Sequence, residues 1–202
     1  IRNSNQLTES IQGSDIVIHF AAESHVDRSI NNAKDFIETN VLGTINVLEA
    51  LRSLNHPCTA LMITTDKVYE NFEHGLPFKE DDHLGGRDPY SSSKAMAEIA
   101  ITAYRQSYFS NLESPVRIAS ARAGNVIGGG DWSEDRLIPD VIRAGQTNST
   151  LEVRNPNAIR PWQHVIEPIY GYLLMAEAMH SKVTNLTAMN FGPLAENQIT
   201  VE

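Results

Sequence analysis

The sequence is short of cysteine, of positive charge and of long apolar runs. Cys58 is the single cysteine among 202 residues, so no internal disulfide can form and a reducing compartment is favoured. Sixteen lysines and arginines against 25 aspartates and glutamates give a formal net charge of −9, which argues against a nucleic-acid or anionic-membrane surface. No apolar stretch reaches membrane-spanning length, and there is no charged-then-apolar leader. We expect a cytoplasmic protein with no nucleic-acid and no membrane partner.

Metal-ligand spacing is missing as well. The seven histidines are scattered, without His-x-His or His-x-x-x-His pairs and without a cysteine partner. Metal sites in proteins need several such ligands at suitable spacing. The sequence therefore predicts no metal site.

What is present is an alternation of apolar strands and helices. The pattern predicts strands at residues 15–20, at 60–64 and from 116 onward, and helices at 34–54 and 91–108. Strand, helix, strand, helix, strand is the order of a parallel α/β sheet, and continuous apolar strands fit a sheet covered on both faces. Residues 70–88 look loop-like. Beyond Gly130 the spacing is irregular, with a helix at 136–144, a short strand at 151–154 and a helix at 166–179 as the expected elements.

The sequence lacks the glycine-rich turn that a dinucleotide-binding sheet of this kind normally has. A dinucleotide fold normally opens with a strand and a G-x-G-x-x-G turn that meets the pyrophosphate. The three glycines at 128–130 lie too late and have the wrong spacing. Either the fold is a different one, or the first βαβ unit lies upstream of Ile1.

Tyr90 and Lys94 carry the clearest chemical signal. They stand one helical turn apart at the start of a predicted helix. A nearby cation lowers the pKa of a tyrosine, and a phenolate can take the proton of a sugar hydroxyl as hydride leaves the adjacent carbon. Thr65 and Asp66 end the preceding strand and can reach the same site, because α/β sites form at strand carboxyl ends. By themselves, Tyr90 with Lys94 and Asp66 with Lys67 also fit exposed surface pairs.

Together these motifs resemble the extended short-chain dehydrogenase/reductase family, and within it the nucleotide-sugar 4,6-dehydratases. The matching segments, in family order, are residues 19–29, 39–44, 65–67, 90–94, 123–126 and 160–165. The resemblance implies a Rossmann-like doubly wound parallel sheet whose N-terminal βαβ unit is missing, with a small C-terminal substrate lobe. Residues 1–130 would form a partial NAD-binding domain. Residues 131–202 would begin the substrate-binding lobe and include returning Rossmann elements.

The nucleotide is implied by fewer residues. Thr65, Asp66 and Lys67 resemble the CDP-glucose group, whereas dTDP-glucose enzymes generally carry Thr-Asp-Glu there. Residues 125–132, 135–139 and 154–164 are also similar to the CDP-glucose group, while 22–29 look more like the dTDP-glucose group. The resemblance favours CDP-glucose as substrate and leaves dTDP-glucose open.

The resemblance also implies a catalytic role for each of five residues. Tyr90, with Lys94, would take the proton from the sugar O4 while NAD accepts hydride from C4. Asp66 would protonate the leaving C6 hydroxyl, and Thr65 would hydrogen-bond O4. Lys67 stands where a base for the C5 proton is needed, which requires desolvation to lower its pKa. Hydride then returns to C6, so NAD is regenerated and stays bound.

Further residues are implied to hold the cofactor and the nucleotide sugar. Those lining NAD are Ala21, Ala22, Thr39, Asn40 and Thr64, together with Tyr90 and Lys94. Those holding the substrate are Ser24, Asn125, Arg136 and Arg160. Arg160 suits a diphosphate because a guanidinium fork matches phosphate oxygens. It could instead pair with Glu152 or Glu167, and Ser24 could simply cap the next helix.

Three other functions stay open at this point. A nucleotide-sugar 4-epimerase needs only the tyrosine, the lysine and a hydroxyl; Asp66 beside Lys67 favours elimination. A non-catalytic dinucleotide sensor has little reason to keep Tyr90 and Lys94 together with Thr65 and Asp66. The isolated chain could also be an inactive fragment. We expect the intact protein to be a homodimer that pairs through the helices at 34–54 and 91–108.

Overall fold

The computed structural model describes residues 1–111, 113–194 and 199–201. The strands are β1 (Ile16–His19), β2 (Cys58–Thr65), β3 (Val116–Ala123), β4 (Val126–Ile127), β5 (Ile159–Arg160), β6 (Gln163–His164), β7 (Ala188–Phe191) and β8 (Ile199–Thr200). The α-helices are α1 (Ser4–Ile11), α2 (Val26–Asn31), α3 (Ala33–Phe36), α4 (Gly43–Arg52), α5 (Pro89–Tyr104), α6 (Leu137–Thr147) and α7 (Ile166–His180).

Four strands form the main sheet in the order β1-β2-β3-β7, all parallel. β2 and β3 pair along their full length, from Cys58 beside Val116 to Thr65 beside Ala123. Two small sheets lie outside it: β4 pairs with β6 in parallel, and β5 pairs with β8 antiparallel. The predicted parallel α/β architecture is confirmed.

The sheet is covered on both faces, as its apolar strands require. Cys58, Ala60 and Met62 of β2 point into a core shared with α4, α5 and α1. Leu61, between them in sequence, points to the opposite face and packs with α7 through Tyr172. Alternate residues of a strand face opposite sides, so β2 serves two apolar layers at once.

The two long predicted helices are real but not uniformly α-helical. The predicted helix at 34–54 consists of α3, a π-helical segment Ile37–Leu42 and α4 in continuous succession. The predicted helix at 91–108 begins two residues earlier, at Pro89, and ends in a second π-helical segment, Arg105–Phe109. Such widened turns are frequent at functional sites. Apolar periodicity does not distinguish them from α-helix.

The predicted strand at 151–154 is wrong. That segment is irregular, and the exposed Arg154 forms an ion pair with Asp27 at 2.9 Å. The short strand lies further on, at Ile159–Arg160, where β8 supplies a ladder partner. The helices expected at 136–144 and 166–179 are present as α6 and α7. No helix among the described residues is long and apolar enough to cross a membrane.

Candidate active site

The carboxyl end of β2 turns directly into a candidate catalytic segment. Thr65 ends the strand and its hydroxyl accepts from the amide of Lys67 at 3.3 Å, which caps a 3-10 turn over Asp66–Val68. The same hydroxyl donates to Asp66 Oδ1 at 3.0 Å. Gly124, just after β3, lets Pro161 and Asp66 approach the backbone closely. A Cβ at this position would stand 2.5 Å from Pro161 Cγ and 3.3 Å from Asp66 Oδ2.

Helix α5 begins beside this turn with strong start signals. The Asp88 carboxylate accepts from the amide of Ser91 at 3.0 Å, and the Ser91 hydroxyl accepts from the amide of Asp88 at 3.3 Å. Pro89 occupies the first helical position, where its missing N–H costs nothing. Gly86 lets the incoming loop lie against the first turn, since a Cβ there would stand 2.4 Å from the amide nitrogen of Ser92. These contacts fix Tyr90 in the first turn.

Tyr90 and Lys94 are buried, with 8% and 5% of their surface exposed, so they are not a surface pair. The Tyr90 ring packs edge-on against Phe36, with ring centroids 6.3 Å apart. Lys94 Nζ donates to the backbone carbonyl of Ile63 at 3.0 Å. Burial lowers the pKa of Lys94 to about 8, while Glu98 acts to raise it.

The expectation that Lys94 brings the pKa of Tyr90 down is not met. Burial raises the pKa of Tyr90, the charge of Asp66 adds to that rise, and a hydrogen bond with the Thr65 side chain opposes it. The physical reason is that the phenol is desolvated while the Lys94 ammonium is directed to the Ile63 carbonyl. The mutual influence of Tyr90, Thr65 and Asp66 nevertheless places the three side chains in one site.

Asp66 and Lys67 are half-buried, and each is shifted toward its neutral form. Burial raises the pKa of Asp66, against the opposing effects of Lys67, Thr65 and Arg160. Burial lowers the pKa of Lys67; Asp66 opposes this, and Arg160 and Arg136 add to it. Asp66 with Lys67 is therefore not an exposed turn pair. A carboxyl group whose pKa is raised and an amine whose pKa is lowered suit a proton donor and a proton acceptor.

Asn40 ties the loop after β1 to the start of α5. Its side chain donates to the carbonyl of Glu23 and accepts from the Glu23 amide, both at 2.9 Å. It also donates to the Ser93 hydroxyl at 2.8 Å, and that hydroxyl donates to the Tyr90 carbonyl at 2.7 Å. Asn40 lies in the π-helical segment and is 1% exposed. It connects the loop that carries Ala21 and Ala22 to the backbone of Tyr90.

The other residues expected along the cofactor, Ala21, Ala22, Thr64 and Thr39, lie on three different segments of the chain. Ala21 is exposed and Ala22 half-buried, both in the loop after β1. Thr64 is buried near the end of β2, and its hydroxyl donates to Glu98. The Thr39 hydroxyl accepts from Arg2, at 3.0 and 2.7 Å. Thr39 thus contacts the segment before α1.

Cationic side chains gather on the outer side of the site. Arg136 Nη2 donates to the Ser24 hydroxyl at 3.1 Å and to its carbonyl at 3.2 Å, while the buried Nε of Arg136 has no hydrogen-bond partner among the described residues. Burial, followed by Arg136 and Arg28, lowers the pKa of His25. Ser24 does not cap α2, whose N-cap residue is His25. In an acidic chain, this cluster is suited to an anionic ligand.

Arg160 acts on Asp66 and Lys67 from β5. Within the residues that the structure describes, no ion pair joins Arg160 to Glu152 or Glu167. Asn125, just after β3, is half-buried, and its carbonyl accepts from the amide of Gln163 at 3.0 Å. The described part of the chain brings no three His, Cys, Asp or Glu side chains together in a metal-binding group.

Glu98 and Arg122 were missed by sequence reasoning. They form a buried ion pair at 2.8 Å, in which Glu98 lies one turn of α5 beyond Lys94 and Arg122 lies on β3. Two signals were available. Glu98 follows Tyr90 and Lys94 at four-residue spacing on one helix face, and Arg122 is a charge inside an otherwise apolar strand, which calls for a buried partner.

A parallel, helix-covered sheet with polar residues gathered at its carboxyl edge defines a Rossmann-type α/β protein. The chain belongs to the NAD dependent epimerase/dehydratase family, whose model matches residues 1–190. The family resemblance seen in the motifs is thereby confirmed.

Relatives with described functions are similar over most of the chain. CDP-glucose 4,6-dehydratase of Salmonella typhimurium is 42% identical over 208 residues, covering 100% of this chain and 58% of that protein. dTDP-glucose 4,6-dehydratase of Mycobacterium tuberculosis is 33% identical over 168 residues, covering 82% of this chain and 48% of that protein. The chain thus spans only about half of the curated relatives it matches.

A solved structure shares the fold. A double mutant of the dTDP-glucose 4,6-dehydratase DesIV of Streptomyces venezuelae, crystallised with NAD, superposes with a TM-score of 0.82 at 26% identity. The match covers 99% of this chain and 58% of that one. The Rossmann-like fold is therefore shared along the described chain.

Proposed function

We propose that this protein catalyses the NAD-dependent 4,6-dehydration of a nucleotide-activated glucose, with CDP-glucose as the favoured substrate. The observation that carries the proposal is the convergence of Thr65, Asp66 and Tyr90 in one site at the carboxyl edge of the sheet, with buried Lys94 beneath. The 42% identity to a CDP-glucose 4,6-dehydratase supports the same reaction. The product is a 4-keto-6-deoxy sugar nucleotide.

NAD fits the residues along this edge. The small side chains of Ala21 and Ala22 follow β1, while Thr64, near the end of β2, and Lys94, on α5, are buried. When bound, NAD supplies the acceptor for the C4 hydride and returns it to C6. Thr39 and Asn40 support this loop from the π-helical segment.

The protein residues move the protons. Tyr90 takes the proton of the sugar O4, with Thr65 bonded to the same oxygen and Lys94 as the supporting cation. Lys67, whose pKa burial lowers, removes the proton at C5, which the new ketone has made acidic. Asp66, whose pKa burial raises, gives its proton to the leaving C6 hydroxyl. Loss of the C5 proton and the C6 hydroxyl eliminates water across C5 and C6. Lys67 then gives a proton back to C5 as hydride is added at C6, so the net change is the loss of one water.

The nucleotide diphosphate is assigned to the cationic side of the site. The residues that would hold it are Arg136, whose Nε lacks a partner within the described part of the chain, with Arg160, Ser24 and Asn125. Residues 1–130 then form the cofactor part. Residues 131–202 begin the substrate lobe and also supply α7 and β7, which return to the main sheet as Rossmann elements.

The direct test is to incubate the full-length protein separately with CDP-glucose, dTDP-glucose and UDP-glucose. We expect a 4-keto-6-deoxy product, detected by its alkaline ultraviolet absorbance and by mass, with the highest kcat/KM for CDP-glucose. Faster turnover of dTDP-glucose would reverse the nucleotide assignment. Interconversion of UDP-glucose and UDP-galactose without dehydration would replace the reaction by 4-epimerisation. Cofactor binding with no turnover of any sugar would indicate a sensor.

We also propose a cytoplasmic homodimer that pairs through α4 and α5. Support comes from an exposed apolar stripe. Leu42, at the end of the π-helical segment that runs into α4, and Met96 and Ile99, on α5, are 50%, 38% and 58% exposed. Cys58, the single cysteine, is buried and unpaired, in keeping with a reducing compartment.

A further inference from the structure

A buried carboxylate stands directly behind the lysine of the site. Glu98 follows Lys94 by one turn of α5 and Tyr90 by two, so the three share a helix face. Glu98 Oε1 accepts from the Thr64 hydroxyl at 2.5 Å and from Arg122 Nε at 3.0 Å. Its Oε2 accepts from the Ser120 hydroxyl at 2.9 Å and from Arg122 Nη2 at 2.8 Å. With 1% of its surface exposed, Glu98 is held at both oxygens.

The network continues beyond Arg122 and fixes the ion pair in the fold. Arg122 Nη1 donates to the Tyr69 hydroxyl at 2.7 Å and to the carbonyl of Glu80 at 2.9 Å. The Tyr69 hydroxyl donates to Asn190 Oδ1 at 2.7 Å. Glu98 is thereby connected to β3, β7 and the loop at 70–88. A carboxylate so fully hydrogen-bonded and paired with a guanidinium is held in one position.

Few charged groups near Lys94 favour its ammonium form. The titratable and charged groups that face it are Tyr90 and Glu98 on α5, His19 on β1 and, beyond Glu98, Arg122 on β3. β2 contributes the uncharged Ile63 carbonyl and Thr64 hydroxyl. Burial, followed by Lys94, lowers the pKa of His19 to about 4, so His19 is neutral at neutral pH. Glu98 is the group that favours the ammonium form of Lys94.

We propose that Glu98 is a positioning residue: held by Arg122, Ser120 and Thr64, it keeps Lys94 protonated and directed at β2, which allows Tyr90 to act as base through the mildly alkaline range. The inference rests on the proposed function, in which Tyr90 needs a neighbouring cation. Glu98 itself touches neither substrate nor reacting atoms. Its effect on the reaction passes through Lys94.

The test measures the ionisation of Lys94 directly. The full-length protein is prepared with lysine labelled with carbon-13 at Cε, and the Lys94 signal is assigned by its loss in Lys94→Arg. In Glu98→Gln we expect the titration of Lys94 to move down by roughly one to three pH units, the usual effect of removing a close opposite charge. The alkaline limb of kcat should move to lower pH by a similar amount. A Lys94 titration that stays in place would overturn the proposal.

Two further variants keep the test decisive. Glu98→Gln leaves Arg122 buried without its partner, which can prevent folding. The double variant Glu98→Gln/Arg122→Gln removes both charges and keeps amide donors and acceptors. It should show a downward movement that is smaller than in Glu98→Gln, because the Arg122 cation is removed as well. Ser120→Ala is the matched control, since it deletes one bond to Glu98 without changing any charge. Its Lys94 titration should coincide with that of the unaltered protein; a shift as large as in Glu98→Gln would contradict the electrostatic role.

The two failures are distinguishable. If no sugar nucleotide is dehydrated but Lys94 still titrates lower in the Glu98 variants, the proposed reaction is wrong and the coupling stands. If dehydration occurs and both the Lys94 titration and the kcat profile are unmoved, Glu98 is only a structural residue.

Discussion

At the residue scale, burial decides the ionisation of the side chains around the candidate site. Desolvation raises the pKa of Tyr90 and Asp66 and lowers that of Lys67 and Lys94. Each group is thereby moved toward its neutral form. Groups that can be found in either protonation state are the ones that exchange protons with a substrate most readily.

Asp66 should be required for activity and costly for stability. Because burial raises its pKa in the folded protein, ionised Asp66 destabilises the fold at any pH above that raised value. Asp66→Asn should lower the kcat of dehydration about 10²- to 10⁴-fold, the usual contribution of a general acid. It should also increase the free energy of unfolding at neutral pH, as measured by urea titration.

The stability gain has a defined pH dependence. It should be largest at neutral pH, shrink as pH falls below the raised pKa of Asp66, and vanish below the ordinary aspartate pKa, where the carboxyl group is neutral in both the folded and the unfolded state. Asp81→Asn, in the exposed loop, is the control and should change neither activity nor stability. A lower free energy of unfolding for Asp66→Asn would contradict this prediction, because it would show that the ionised carboxylate stabilises the fold.

At the scale of the elements, two junctions create the site. β2 ends in a 3-10 turn capped by Thr65, and α5 begins in a capping box built by Asp88 and Ser91. Both junctions fix backbone positions within a residue or two of a proposed catalytic side chain. The site is therefore sensitive to changes at helix and strand ends that touch no substrate.

Asp88→Ala should reduce both stability and turnover. Loss of the N-cap should lower the free energy of unfolding by about 0.5 to 2 kcal/mol and loosen the first turn that carries Tyr90. The matched control is Asn3→Ala, which removes the equivalent bond, from the amide of Gln6 to Asn3 Oδ1, at the start of α1. We expect a comparable loss of stability there, with kcat unchanged. Equal kcat values in the two variants would separate the capping box from the site.

At the scale of the whole molecule, the sheet carries apolar layers on both faces and a polar edge at the strand carboxyl ends. The chain is acidic overall, yet Arg136, Arg160 and Lys67 concentrate positive charge at that edge. Charge distribution rather than net charge thus decides which ligands the molecule accepts.

The apolar stripe formed by Leu42, Met96 and Ile99 should carry the dimer. Ile99→Glu places a charge in that stripe, where an apolar partner surface would desolvate it. We expect analytical ultracentrifugation to show dimers for the unaltered full-length protein and monomers for Ile99→Glu. Val183→Glu, at an exposed position outside this stripe, should stay dimeric. Monomers in all three samples would refute the dimer.

Much of the fold could be predicted because its signals are local. The apolar runs that became β1 and β2 and the periodicity of residues 34–54 are readable from neighbours in sequence. The strands of two residues, β4, β5, β6 and β8, could not be predicted, since each exists only by virtue of a distant partner. The π-helical segments could not be predicted either, because their apolar spacing stays close to that of an α-helix.

The sequence by itself determined the sheet class, the family and the identities of the chemical groups, because hydrophobic period and motif order are properties of the chain. Only the tertiary structure decided the protonation tendencies of Asp66, Lys67 and Tyr90, and only it paired Glu98 with Arg122 behind Lys94. The physical reason is that a pKa depends on desolvation and on charges brought close by folding, neither of which is encoded in spacing along the chain.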